Sequence, residues 1–176
     1  MYQPREDSYL LAEQITKQLE KVKNKQIKIL DMGCGSCVQA LTSRKAGFDN
    51  LVCADISQEA VNQAKRLGLK SIKSNLFSKI KERFDLIIFN PPYLPEDKYD
   101  KQKDTTGGEV GDETILEFLK QAKNNLTKEG KILLLISSLT PQDKILKLLN
   151  KLKFKKKVLA SQKLFFEELE IWLIFH

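Results

Sequence analysis

The chain has little histidine, little arginine and no long apolar run. Its one histidine, His176, is the last residue, so none lies within the chain for acid–base chemistry. Its four arginines do not cluster, which disfavours the arginine forks that read nucleobases. No run of 18 or more apolar residues occurs, which argues against a membrane-spanning helix. Arg5, Glu6 and Asp7 precede the first apolar stretch, unlike a signal peptide, so we expect a cytoplasmic protein.

Cysteine is also scarce, and Cys34, Cys37 and Cys53 form an odd number. In a reducing compartment they are not expected to form a disulfide framework. Cys34 and Cys37 have the spacing of a redox or zinc pair, but they lie in a glycine turn with no second pair. Only His176 is available to help bind a metal. We therefore predict neither a metal site nor a redox centre.

The 176 residues predict a single domain, residues 1–176, that is large enough to bury a core. The formal net charge is +7 and comes mainly from lysine. A basic surface is typical of proteins with acidic or nucleic-acid partners. Lysine-rich surfaces also arise through adaptation, so the charge alone does not identify a partner.

Strands and helices alternate along the sequence, which predicts an α/β fold with a mostly parallel sheet. The last two strands have no helix between them and predict a hairpin at one sheet edge. The predicted helices cover residues 6–24, 37–46, 58–67, 113–129 (ended by Gly130) and 140–152. The predicted strands cover residues 27–32, 51–55, 71–76, 84–89, 131–136, 156–163 and 169–175.

The stretch that organises the chain is the apolar strand at residues 84–89 and the sequence Asn90-Pro91-Pro92-Tyr93 that follows it. Proline has no backbone N–H, so the prolines end the strand. The resulting turn offers the Asn90 amide, carbonyl acceptors and an aromatic ring, which suit a planar –NH₂ group. The alternative is a loop that only turns the chain.

A second motif, Asp31-x-Gly33-x-Gly35, lies between a strand and a helix, and Asp55 ends the next strand. The glycines allow a ligand to approach the backbone, and Asp55 suits a ribose diol. Val38 stands where a dinucleotide fingerprint needs its third glycine. Asp31 would repel a pyrophosphate and instead suits a cationic ligand such as S-adenosylmethionine. The alternative is an ordinary tight turn.

Together the two motifs resemble the class I S-adenosylmethionine-dependent methyltransferases, and the likeness covers nearly the whole chain. The opening Tyr2-x-Pro4-x-Glu6-Asp7-Ser8 and the later Gly107-Gly108-x-x-Gly111 are similar to the short HemK-type glutamine methyltransferases of archaea and eukaryotes. These enzymes modify the Gly-Gly-Gln loop of class 1 translation release factors. The resemblance implies a Rossmann-like fold with seven strands, helices on both faces and a C-terminal antiparallel hairpin.

The resemblance also implies roles for individual residues. Glu6 and Asp7 would line the entrance of the site. The cofactor would be held by Ser8, Asp31, Gly33, Gly35, Asp55, Asn75, Leu76 and Asn90. Catalysis would depend on Asn90, Pro91, Pro92 and Tyr93. Two positions depart from the family pattern, because Asn75 replaces an acid and Cys37 stands where many relatives have glycine.

The expected reaction is methylation of a protein glutamine, most simply in a release factor. The alternatives are an adenine N6-methyltransferase acting on DNA or RNA and a non-catalytic module that only binds S-adenosylmethionine. Relatives commonly need a small zinc-binding activator that pairs along the third strand. Residues 71–76 form a short strand that we expect at a sheet edge, where such pairing is possible unless helices cover it.

Overall fold

The computed structural model describes residues 3–92 and 111–176. Its helices are α1 (Glu6–Leu19), α2 (Val38–Lys45), α3 (Gln58–Arg66), α4 (Glu113–Ala122) and α5 (Gln142–Lys151). Its strands are β1 (Ile29–Met32), β2 (Leu51–Asp55), β3 (Lys70–Lys73), β4 (Phe84–Phe89), β5 (Leu126–Ser137), β6 (Lys155–Lys163) and β7 (Glu168–Phe175). No helix within these residues has the length and apolar character needed to cross a bilayer.

In the described residues the seven strands form one sheet in the order β3-β2-β1-β4-β5-β7-β6. The pairs from β3 to β5 are parallel, and β7 is antiparallel to both β5 and β6. This arrangement confirms the predicted mostly parallel sheet with its C-terminal hairpin. It also confirms that β3 lies at one sheet edge, while β6 lies at the other.

Two apolar clusters cover the two faces of the sheet. Alternate residues of the central strands supply each cluster, because successive strand side chains point to opposite faces. Leu30 and Ile87 belong to the cluster that packs against α4 and α5. Ile29 and Ile88 belong to the cluster that includes residues of α1, α2 and α3. The central strands are buried on both faces, as is typical of a parallel sheet.

Four predicted boundaries differ from the structure by three or more residues. The first helix ends at Leu19 rather than near residue 24, and β3 ends at Lys73, so Asn75 and Leu76 lie in the turn after it. The helix predicted over 113–129 ends at Ala122, and β5 already begins at Leu126. Gly130 therefore lies inside a strand.

The position of Gly130 has a packing reason. A Cβ at this residue would come within 2.8 Å of the Phe84 carbonyl oxygen, so only glycine allows β4 and β5 to approach there. The pairing of these strands shifts register between Phe84 and Leu86. The glycine therefore marks an irregularity between two strands and not the end of a helix.

Candidate cofactor and substrate site

A cavity of about 500 Å³ opens at the carboxyl ends of β1, β2 and β4. Open α/β sheets bind ligands at this end of their strands. The cavity brings together most of the residues that the sequence predicts for the site. Those that line it are Glu6, Asp7, Ser8, Asp31, Gly33, Gly35, Asp55, Asn75, Leu76, Asn90, Pro91 and Pro92. Tyr93, Gly107 and Gly108 lie outside the described residues, and so does Tyr2.

The loop after β1 turns tightly because three of its residues have left-handed backbone conformations. Gly33, Gly35 and Cys37 have φ values of +63°, +45° and +67°. A Cβ on Gly33 would also come within 3.3 Å of the Phe89 ring. Both glycines therefore meet a steric or conformational requirement. Cys37 adopts the same conformation at the N-terminus of α2.

Asp55 holds this loop in place. One of its carboxylate oxygens accepts from the Gly35 N–H at 2.9 Å, and the other accepts from the Ser57 N–H at 2.8 Å. Each oxygen keeps a second lone pair, so the carboxylate can still accept hydrogen bonds from the hydroxyl groups of a ligand. The Ser57 side chain also caps α3 by accepting from the Ala60 N–H.

Asp31 is one of the buried acids of the site. Burial raises the pKa of its carboxyl group well above the ordinary value, and the neighbouring Cys37 adds to the rise. The Ala40 N–H donates to one of its oxygens at 3.1 Å, which partly offsets that effect. A cation placed in the cavity would stabilise the ionised form of Asp31.

Asp7 has a second role that the sequence does not reveal. The resemblance places it at the entrance of the site, yet its side chain is buried and accepts from the Asn90 amide NH₂ at 3.0 Å. Its other oxygen accepts from the Ser8 N–H at 2.6 Å. The Asn90 side-chain oxygen has no hydrogen-bond partner in the described structure. Asp7 therefore fixes which end of the Asn90 amide remains available as an acceptor.

Gln39 is a cavity residue that sequence reasoning missed. Its amide NH₂ donates to the Ser8 carbonyl oxygen at 3.0 Å and joins α2 to α1. Its side-chain oxygen is buried and, within the described residues, accepts no hydrogen bond. The only signal in the sequence was its place in the first turn of α2.

These features fit S-adenosylmethionine. The cavity volume falls in the range of small-molecule sites. The glycine loop allows backbone contact, and Asp31 complements a cationic methionine moiety. Asp55 can accept ribose hydroxyls, while the buried oxygens of Gln39 and Asn90 lack partners in the described structure. Unsatisfied buried acceptors are costly, and a ligand with N–H donors would satisfy them.

Comparison with known proteins agrees with this geometry. A Methanocaldococcus jannaschii protein, provisionally named a protein N5-glutamine methyltransferase, is 35% identical over 97% of this chain and 89% of its own length. The release factor glutamine methyltransferase of Lactococcus lactis is 32% identical over 74% of the chain. The matched region spans only 54% of that enzyme.

A solved structure shares the fold over 99% of this chain and 97% of its own, with a TM-score of 0.77 at 23% identity. It comes from the E. cuniculi Mtq2–Trm112 complex, described as responsible for methylating the termination factor eRF1. The methyltransferase small-domain family matches residues 6–165. The chain therefore belongs to the methyltransferase small-domain family, within the class I S-adenosylmethionine-dependent methyltransferases that its sequence resembles.

Proposed function

We propose that this enzyme methylates the side-chain nitrogen of a glutamine in a protein substrate. The observation that carries the proposal is the Asn90 amide, whose NH₂ is held by Asp7 at 3.0 Å. Its oxygen is buried without a partner in the described residues, and Asn90 lines the cavity. A fixed, unpaired acceptor at this place suits the N–H of a substrate amide.

The turn after β4 orients the substrate. The Asn90 oxygen and the Pro91 carbonyl would accept the two N–H bonds of the glutamine amide. Pro92 stiffens the turn, and Tyr93 would pack on the amide plane. With both N–H groups held, the nitrogen would be oriented for methyl transfer, so rate enhancement would come from orientation and from a matched electrostatic environment.

The residues of the cavity would hold the cofactor as their chemistry suggests. Asp31, Gly33 and Gly35 would bind the methionine moiety, Asp55 the ribose, and Asn75 with Leu76 the adenine. Ser8 and Asn90 would complete the site. When bound, S-adenosylmethionine supplies an electrophilic methyl group on a sulfonium. The side-chain oxygen of Asn75 is an acceptor that the adenine amino group can use. Unlike the acid that it replaces, it carries no charge.

The names of similar proteins support a release factor as the substrate. The Lactococcus protein is named for this activity, and the E. cuniculi complex is described with eRF1. The surface beside the cavity also suits a polypeptide. The turn between β6 and β7 contributes Leu164 and Glu167 to the cavity wall, and it presents Phe165 and Phe166 at 92% and 82% exposure. Exposed apolar pairs of this kind are typical of protein contacts.

The partner proposal rests on the edge position of β3. Its Lys70 and Lys73 are exposed, and its Ser71 and Ile72 are half-buried. Among the described strands β3 pairs only with β2, so its outer side can accept another strand. We propose that a small zinc-binding activator binds there. The E. cuniculi protein of similar fold was solved as a complex with Trm112.

Labelled S-adenosylmethionine tests the proposal. The enzyme is incubated with a release factor that has its Gly-Gly-Gln glutamine intact and with one in which that glutamine is alanine. Each reaction is run with and without the candidate activator, and DNA and RNA are tested in parallel. Label on the intact factor alone supports glutamine methylation. Label on nucleic acid alone would instead support the adenine reaction.

A further inference from the structure

The chain's three cysteines meet at one point, although they come from two separate segments. Cys34 and Cys37 belong to the loop after β1, and Cys53 belongs to β2. Their three sulfur atoms all lie within 4.8 Å of one another, and all three side chains are buried. The sequence-based prediction of no metal site considered only the Cys34 and Cys37 pair, because nothing in the spacing indicated that Cys53 joins them.

We propose that Cys34, Cys37 and Cys53 form a binding site for a soft divalent cation, such as Zn²⁺ or Cd²⁺, beneath the glycine loop. Thiolate ligands select soft and borderline metals, and three of them with one open position make a recognised coordination set. The proposal does not depend on the reaction that the enzyme catalyses.

The distances suit such a site. In tetrahedral zinc coordination with bonds of about 2.3 Å, the sulfur atoms lie roughly 3.8 Å apart. The observed upper limit of 4.8 Å leaves about 1 Å to close, which small side-chain rotations supply. Cadmium forms longer bonds to sulfur and needs less movement.

Metal binding depends on pH because cysteines coordinate as thiolates. Binding of one cation displaces the thiol protons to solvent, so apparent affinity rises with pH.

A cation can reach the cluster through the cavity. Cys34 lines the cavity wall, whereas Cys37 and Cys53 lie deeper and have no exposed surface. The open coordination position would then face the cavity and take a water molecule. Because Cys53 lies two residues before Asp55, the metal would join the loop to β2 beside the Gly35–Asp55 hydrogen bond.

Cadmium titration of the reduced, full-length protein tests the site. We expect the ultraviolet cadmium–thiolate band to saturate at one equivalent, and the melting temperature to rise with metal concentration. The ¹¹³Cd resonance of the wild-type protein should fall in the region of thiolate-rich sites. Cys53→Ser, far in sequence from the other two cysteines, should weaken binding about 100-fold, and so should Cys34→Ser and Cys37→Ser.

His176→Asn is the matched control, because it removes the chain's one histidine and should leave the titration unchanged. Cys53→Ala is titrated beside Cys53→Ser, and circular dichroism establishes that each variant is folded. A band that persists in all three serine variants would overturn the proposal. So would a wild-type ¹¹³Cd resonance in the region of nitrogen and oxygen ligands, which needs no variant to interpret.

Discussion

The Asn90 amide donates to the Asp7 carboxylate at 3.0 Å, across 83 positions of sequence. This bond connects the end of β4 to the first turn of α1. It leaves the Asn90 side chain with an NH₂ engaged by the protein and a buried oxygen that has no partner in the described residues.

Asn90→Ala is expected to lower turnover far more than cofactor affinity, because the variant loses the acceptor that orients the substrate amide. Loss of one such oriented group costs about 10²–10³ in rate. Turnover is measured with labelled cofactor, and binding by calorimetry. Asn62→Ala, an exposed asparagine on α3, is the control and should retain full activity. Unimpaired turnover of Asn90→Ala would show that the assigned role is wrong.

Asp7→Ala is expected to lower kcat about 10- to 100-fold with a smaller change in KM, since the Asn90 amide is then free to rotate. Asp7 is a positioning residue, so the separation of kcat from KM is the informative readout. Asp7→Asn keeps an acceptor and should recover part of the rate. An equal loss in both variants, accompanied by a lower melting temperature, would indicate a structural role only.

Asp31→Asn is expected to weaken S-adenosylmethionine binding about 10- to 100-fold and to stabilise the cofactor-free protein at neutral pH. Burial raises the pKa of Asp31, so the folded protein loses stability as pH rises through that pKa and Asp31 ionises. Asparagine removes this cost, and its advantage should disappear below the ordinary carboxyl pKa. Thermal unfolding across pH measures the difference. Equal stabilities at neutral pH would contradict it.

The raised pKa of Asp31 should also make cofactor affinity depend on pH. A cationic ligand favours ionised Asp31, so affinity should fall as pH falls through the raised pKa, and binding should release protons. Calorimetry in buffers of different ionisation enthalpy measures this release. A cofactor affinity that does not change with pH in the wild-type protein would show that Asp31 does not interact with the bound cofactor.

Phe165→Ser combined with Phe166→Ser is expected to raise KM for the protein substrate about 10-fold or more, with cofactor affinity and melting temperature unchanged. Both rings are almost fully exposed and contribute little to the core, so their loss should affect only binding. Val158→Ser, another exposed apolar residue of the hairpin, is the control. An unchanged KM for the protein substrate would show that Phe165 and Phe166 do not take part in substrate binding.

The sequence predicted the sheet and the site where local chemistry determines the outcome. The prolines end β4, the glycines shape the loop, and alternation of strand and helix predicts parallel pairing. The Asp7–Asn90 bond and the contact of Cys53 with the loop could not be predicted, because long-range packing creates them. Gly130 was misread because glycine marks helix ends and close strand contacts alike.

The pairing of β1 with β4 has a consequence for how this enzyme can change over time. Met32 pairs with Phe89, so the next residues, Gly33 and Asn90, leave neighbouring strands side by side. The spacing between those strands, about 4.8 Å, is a property of backbone hydrogen bonding and does not depend on side chains. Surrounding side chains can therefore diverge towards new substrates while the distance between the donor and acceptor halves of the site stays the same.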